Sequence, residues 1–406
     1  MTDRLSDDLA EAVRRRCDRR LDWALDRLRA LVEIESPSDD LAAQEACLRL
    51  LDEDLARLGF ACHRIPGRTT GGHLLARPER RARGRPLQLL LGHVDTVWPR
   101  GTLAQRPFEA RDGHARGPGV FDMKAGLVQM LLALDALDAL GLPLPATPVV
   151  FVNSDEEVGS PESTRWVERL ARASARALVL EPGLGLDGKL KTARKGVGKF
   201  HVVVTGRASH AGLAPEEGAS AILELSHAIQ RLHALNDAAR GVSVNVGLVE
   251  GGVGSNVVAP EARATVDVRV PTMADGRRVE RAILGLSAAT PGATVTITGH
   301  VGRAPMERTP RNQALWRQAR ALGRRLGLDL QEGTSGGASD GSTASLYTAT
   351  LDGLGAVGDG AHAVHEFIFV DQMPERAALL ALLLLSPVEA PVPAALPASV
   401  EADAPV

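Results

Sequence analysis

Cysteine is scarce in this 406-residue chain, which carries Cys17, Cys47 and Cys62 and no other thiol. An odd count with no CxxC spacing excludes a disulfide framework and a zinc ribbon, and leaves three packing thiols in a reduced compartment. Aromatic residues are 3% of the chain, with a single tyrosine, too few for base-stacking platforms. Neither sign of charge dominates. The 47 Lys and Arg oppose 50 Asp and Glu for a net charge of -3, so no basic field draws nucleic-acid phosphates. No apolar run approaches the roughly 20 residues of a membrane span; the longest, Ala377 to Leu385, reads as a buried helix. The first twenty residues lack the apolar stretch and small-residue cleavage site of a secretory signal. Expected partners therefore exclude nucleic acid and membrane, and the expected location is cytoplasmic.

What is present is an ordinary globular balance, 44% hydrophobic and 24% charged, in a length that suggests two or three domains. Residues 7–32 and 41–58 show helical spacing on either side of the turn-like ESPSDD. Short apolar runs at 86–93, 147–154 and 175–181 read as strands, and Lys124 to Leu140 reads as a helix between the first two. Strands alternating with helices predict an α/β sheet, with ligands at the carboxyl ends of the strands. From about Arg194 the order changes to β-α-β-β-α-β: strands at 199–205, 242–249, 263–270 and 294–298, and helices at 217–235 and 277–286. That order predicts an inserted α+β, ferredoxin-like domain over 194–304. Residues 1–193 and 305–386 then form the two parts of one domain. Its second part holds helices near 312–326, 339–347 and 375–385 and a Gly-rich stretch at 353–360. The Pro- and Ala-rich 387–406 reads as a flexible tail.

Chemistry-bearing residues gather where these strands end. His93 and Asp95 lie in GHVDT, a spacing at which the carboxylate can hold the imidazole in one tautomer. Asp122 lies in GPGVFDMKAG just before a helix, where an acid also fits an N-cap. Glu156 and Glu157 follow a buried strand in NSDEEVGS; consecutive side chains diverge, so one can bind a metal while its neighbour handles a proton. Glu181 closes a third strand as LEPG, a costly place for an unpaired carboxylate. His362 and His365 lie in GAHAVHEF, and from spacing alone either serves as a ligand. Together these oxygens and imidazoles suit zinc or another divalent transition ion. Two such ions bridged by one carboxylate would activate water and polarise a carbonyl. Phosphate loops of the GxGxxG or GxxxxGKS type do not occur in their required contexts, and a serine hydrolase is disfavoured for want of a GxSxG nucleophile elbow.

GHVDTV, GPGVFDMKAG, NSDEEVGS, LEPG, GRASHAG and GAHxxxE, in that order, resemble the M20 family of metallopeptidases over about residues 31–385, and within it the glutamate carboxypeptidase-like branch. The resemblance implies a zinc-peptidase-like catalytic domain with a mixed sheet flanked by helices, and an inserted domain acting as lid and dimerisation surface. It implies two zinc ions bridged by Asp122, one completed by His93 and Glu181, the other by Glu157 and His362. The family places its ligand histidine ahead of the acid that is Glu366 here, which selects His362 over His365. Glu156 would be the general base, Asp95 the residue orienting His93, and His210 of GRASHAG the lid histidine facing the oxyanion. Asn256 of GSNVVAP and Arg269 of VDVRV would hold the substrate. Lys189 and Arg303 would lie near its side chain, and Gly336, Gly337 and Asp340 would sit in a substrate-facing loop. The implied enzyme is a homodimeric metallocarboxypeptidase releasing a C-terminal amino acid, glutamate or a similar acid, from a small peptide or N-acyl amino acid. Two alternatives stand beside it: a deacylase of the acetylornithine or succinyl-diaminopimelate kind, and a noncatalytic dimeric binding protein of the same fold.

Overall fold

Three consecutive apolar strands with no polar face can pair only in the middle of a sheet covered on both sides, and that is where they lie. The computed structural model describes residues 5–80 and 84–388; the expected tail lies outside them from residue 389 onward. The chain divides into two compact units, Met1–Thr192 with Arg308–Gly333 and Ser339–Val406, and Ala193–Glu307 with Thr334–Ala338.

In the first unit a six-stranded mixed sheet runs Phe60–Ile65, His73–Pro78, Thr147–Asn153, Leu87–His93, Ser174–Val179, Ala349–Leu351. Leu87–His93 is parallel to both of its neighbours, with His93 opposite Asn153, whereas His73–Pro78 enters antiparallel. The mixed α/β architecture expected from the sequence is therefore present. The two antiparallel strands at its edge, Phe60–Ile65 and His73–Pro78, carry no clear alternation and escape a reading by periodicity.

Helix Ala125–Ala139 is buried almost all round, and packs with the equally buried Met373–Leu385. Burying each leucine there contributes about 1.5–3 kcal/mol, which makes this helical layer the heart of the larger core. The close fit extends to Gly126, where a Cβ would fall 2.1 Å from the Leu180 carbonyl oxygen; the helix thus lies directly against the segment leading into Glu181. The single helix expected over 7–32 is instead two, Asp7–Asp18 and Leu21–Val32. Across the break Arg16 and Arg20 both turn toward Asp135 of the central helix. Cys17 and Cys47 are buried and Cys62 half-buried, all as free thiols, and burial pushes the Cys17 thiol up to about 12.

The second unit is a four-stranded antiparallel sheet ordered Ser243–Gly251, Glu261–Val270, Gly196–Thr205, Thr294–Arg303. Along Gly196–Thr205 buried residues alternate with more exposed ones, and Phe200, Val202 and Val204 join the core of this unit. Its helices, Ala221–His233 and Met273–Leu284, start at the side-chain caps Ser220 and Thr272. No helix among the described residues is long and apolar enough to cross a membrane.

Candidate metal centre

The carboxyl ends of the central strands supply four of the expected side chains. His93 is the last residue of its strand, Glu156 and Glu157 lie in the turn after Asn153, and Glu181 follows Val179. Asp122 comes from the loop before helix Ala125–Ala139, across a cis peptide bond to Met123. Gly119 in that loop has φ +72° and packs so closely on Thr96 that a Cβ would lie 2.5 Å from its methyl. His362 stands in the connection between the paired strands Gly358–Asp359 and Phe367–Phe369, itself at φ 60°.

Five of these six side chains converge in pairs. His93 Nε2 lies 3.4 Å from Asp122 Oδ1 and 3.5 Å from Glu181 Oε1. His362 Nε2 lies 3.3 Å from Asp122 Oδ2 and 3.2 Å from Glu157 Oε2. The two oxygens of Asp122 thus face two different histidines. Donor atoms of His93, Glu156 and Glu181 also gather closely enough to hold one ion, as do those of His93, Asp122 and Glu157. His365 is exposed.

Burial lowers the basicity of His93, but Asp122, Asp95 and Glu181 outweigh it and hold the imidazole well above its ordinary value. Asp122 and Glu157 raise His362 to about 10. Burial alone would raise Asp122; His362 and His93 overcome it and hold its carboxyl far below the carboxylate range. Burial raises Glu157. Among the described residues, His93 Nε2, Asp122 Oδ1 and Glu157 Oε1 are buried atoms without a hydrogen bond. Leaving such an atom unsatisfied costs roughly 1–3 kcal/mol. Donor atoms of the same three residues lie close enough together to hold one ion, and borderline imidazole nitrogen with hard carboxylate oxygen fits a divalent transition ion.

Asp95 is fully buried behind this set. Its Oδ1 accepts from the Glu156 backbone N–H at 3.2 Å, and its Oδ2 from the Glu157 N–H at 3.1 Å and Ser38 Oγ at 2.9 Å. His93 Nδ1 lies 2.9 Å from the Asp95 carbonyl oxygen, which fixes Nδ1 as the donor and turns Nε2 toward the acids. Two neighbours went unrecognised in the sequence. Lys191 Nζ lies 3.9 Å from Glu181 Oε2. Lys189, the lysine singled out, pairs with Asp187 at 3.1 Å beside the Leu184–Lys189 turn. The other is Glu366, read only as a landmark for His362; burial raises its carboxyl against four hydrogen-bond donors.

Asp340 is buried and accepts from Ser160 Oγ at 2.6 Å and Asn153 Nδ2 at 2.5 Å, so it braces the loop bearing Glu156 from within. Two GxSxG strings do occur, at 333–337 and 337–341. Ser339 of the second is buried, caps helix Asp340–Ser345 and donates to Asp352 at 2.7 Å, a structural duty.

Within the second unit His210 and Asn256 are exposed on loops that pair: the Ala211 N–H donates to the Asn256 carbonyl at 2.9 Å, and His210 bridges Val257. His210 Nδ1 accepts from the Gly212 and Leu213 N–H groups at 3.1 and 3.2 Å. The neutral ring then carries its proton on Nε2. Arg269 is held by both oxygens of Asp267, at 2.8 and 3.0 Å. Half-buried Arg303 ends the strand beside Val197, and the Gly337 carbonyl accepts from Arg194 at 3.1 Å.

The comparisons agree with this architecture. Residues 89–386 match peptidase family M20/M25/M40, and the chain belongs to that family. It is a hydrolase of amide bonds. Carboxypeptidase G2 of Pseudomonas sp. (strain RS-16) is 30% identical over 365 residues, 88% of each chain. Succinyl-diaminopimelate desuccinylase of Azoarcus sp. (strain BH72) is 30% identical over 361 residues, 84% of this chain and 92% of that one. Among solved structures, the aminopeptidase PepT of Bacillus cereus ATCC 10987 shares the fold with a TM-score of 0.74 at 21% identity, over 90% of this chain and 98% of that one.

Proposed function

We propose that the chain is a two-zinc carboxypeptidase that cleaves the amide bond before a C-terminal glutamate or similar acid. The observation that carries the reading is Asp122, whose two oxygens face His93 at 3.4 Å and His362 at 3.3 Å. A carboxylate so placed could serve two ions at once. In this assignment His93 and Glu181 would hold one ion and Glu157 and His362 the other, with Asp122 shared. Bound zinc would supply Lewis acidity toward the scissile carbonyl and the attacking water.

The chain's own groups do the rest. Glu156 takes a proton from the attacking water and returns it to the departing amine. Asp95 holds the Glu156 backbone N–H and the His93 ring in place. His210, with its proton on Nε2, donates to the oxygen on which negative charge develops. Asn256 and Arg269 bind the substrate; since Arg269 already holds Asp267, a substrate carboxylate must share or displace that pair. Lys189, Arg303 and Gly337 are assigned to the surroundings of the substrate side chain. A homodimer through the second unit accords with exposed Ile222 and Leu223 and with Leu248 and Val249 on the edge strand Ser243–Gly251.

A second reading rests on the Azoarcus relative, as similar in identity as the carboxypeptidase: specificity for the acyl group in place of the amino acid. The test is amino acid release from substrates varied separately on each side of the amide, with zinc and after chelation, alongside metal analysis of the protein. Chelator-sensitive release governed by a C-terminal acidic residue supports the proposal. Release governed by the acyl group replaces it with the second reading, and full activity without metal removes both.

A further inference from the structure

We propose that Glu366 is a positioning residue that holds the loops bearing His93, Asp122 and His362 in register before any metal ion enters. The inference rests on the two-metal reading and adds to it a residue that touches no ion.

Glu366 is completely buried. Its Oε1 accepts from the backbone N–H groups of Phe121 at 2.9 Å and Asp122 at 3.1 Å. Its Oε2 accepts from the Gly119 N–H at 2.9 Å and from Trp98 Nε1 at 2.7 Å. Trp98 follows His93 by five residues, Asp122 is itself one of the donors, and Glu366 follows His362 by four. The Glu366 N–H donates to the Ala363 carbonyl at 3.1 Å and the Ala363 N–H to the Gly360 carbonyl at 2.8 Å, which coils the His362 loop onto the carboxylate. One side chain therefore joins three segments that are remote in sequence.

The loop needs such an acceptor. Asp122 has φ -113° and ψ 98°, and Met123 is also non-helical, so the neighbouring N–H groups are turned away from the helical ladder that follows. A buried N–H without a partner costs about 1–3 kcal/mol, and here one carboxylate satisfies three of them together with an indole. A carboxamide cannot do the same. It keeps one acceptor oxygen, so the donors facing the other position would meet an NH2 group. Residues that orient metal ligands in this way typically change affinity 10–100-fold when replaced.

The experiment uses the full-length chain and its Glu366→Gln, Glu366→Asp and Trp98→Phe variants. Hydrogen exchange is followed at the Gly119, Phe121 and Asp122 amides in the metal-free protein, and zinc affinity is read by competition with a chromophoric chelator. In Glu366→Gln the three amides are expected to exchange at least tenfold faster while those of Leu87–His93 and Ala125–Ala139 keep their protection, and zinc affinity to fall about 10–100-fold. Glu366→Asp should restore part of both, and Trp98→Phe should leave the three amides protected. Unchanged exchange and affinity in Glu366→Gln would overturn the proposal; so would faster exchange spread evenly over the whole unit, which marks general stabilisation. If Glu366→Gln does not fold, Glu366→Asp is judged by the same two outcomes. If the wild-type chain binds no zinc, the two-metal reading fails, while exchange at the three amides still decides whether Glu366 holds the loop.

Discussion

Asp95→Asn is the smallest change that separates orientation from ligation at this centre. It removes no assigned ligand and alters volume little, yet the carboxamide keeps one acceptor oxygen where three donors now meet two. Placing its NH2 at the Oδ2 position would oppose the Glu157 N–H, while the Ser38 hydroxyl can turn and accept; placing it at Oδ1 opposes the Glu156 N–H and faces the His93 Nδ1–H 3.4 Å away. Either orientation costs one backbone hydrogen bond, at Glu156 or at Glu157. Losing one hydrogen bond to a charged acceptor there costs about 1.5–3 kcal/mol. The imidazole of His93 also loses the charge 3.4 Å away, and changes of this kind weaken metal affinity about 10–100-fold, or about 1.4–2.8 kcal/mol at about 1.4 kcal/mol per tenfold. The two estimates agree. Zinc competition and steady-state kinetics should therefore show affinity down by that factor and kcat reduced, with the far-ultraviolet circular dichroism unchanged. Ser38→Ala, which leaves both backbone donors paired, should cost less than about tenfold, in line with a net loss of about 0.5–1.5 kcal/mol. A folded Asp95→Asn protein with wild-type zinc affinity and kcat would refute the reasoning, because Asp95 would then be orienting neither His93 nor Glu156.

Glu156→Gln should retain two zinc ions by elemental analysis but lose about 100- to 10,000-fold in kcat, the range of general acid–base catalysis; retained turnover would remove it as the base. Glu162 accepts from the Arg68 and Thr69 N–H groups and from the Thr69 and Thr70 hydroxyls, which lower its carboxyl against burial to about 2. A depressed carboxylate contributes stability that is present above its unfolded value of 4.5 and is lost as pH falls through 2. Glu162→Gln should flatten that part of the acid unfolding curve, as followed by circular dichroism, and an unchanged curve would show that the loop does not depend on the charge. Leu248→Asp with Val249→Asp should convert a dimer into a monomer by light scattering; a wild-type monomer, or an unaltered dimer in the variant, would remove the second unit as the dimerisation surface.

The groups that converge on Asp122 were legible because each sits where a strand stops or a glycine-rich loop starts, positions that local sequence marks. The strands Gly196–Thr205 and Glu261–Val270 of the second unit were legible from their period-two alternation. Other features depend on partners that sequence distance hides. Glu366 meets donors 244 to 268 residues away, and no local pattern distinguishes it from a solvated acid. Lys189 and Lys191 are equivalent in a motif, yet a turn gives the first to Asp187 and the strand Leu190–Arg194 carries the second toward Glu181. Asp267 beside Arg269 was within reach of a sequence argument, since residues two apart on a strand share a face.

A common device emerges from the carboxylates that were not assigned to metal. Asp95 accepts the backbone N–H groups of 156 and 157, Asp155 those of 162 and 163, Glu162 those of 68 and 69, and Glu366 those of 119, 121 and 122. Loops at the ends of strands leave such donors without a ladder partner, and an anion can satisfy two or three at once where a neutral side chain satisfies fewer. One of these acids, Asp95, stands directly behind His93, beside Asp122, Glu157 and Glu181. His93 faces Asp122, Asp95 and Glu181, and His362 faces Asp122 and Glu157, which hold both imidazoles above their ordinary value. A divalent ion would satisfy the buried ligand atoms that lack hydrogen bonds.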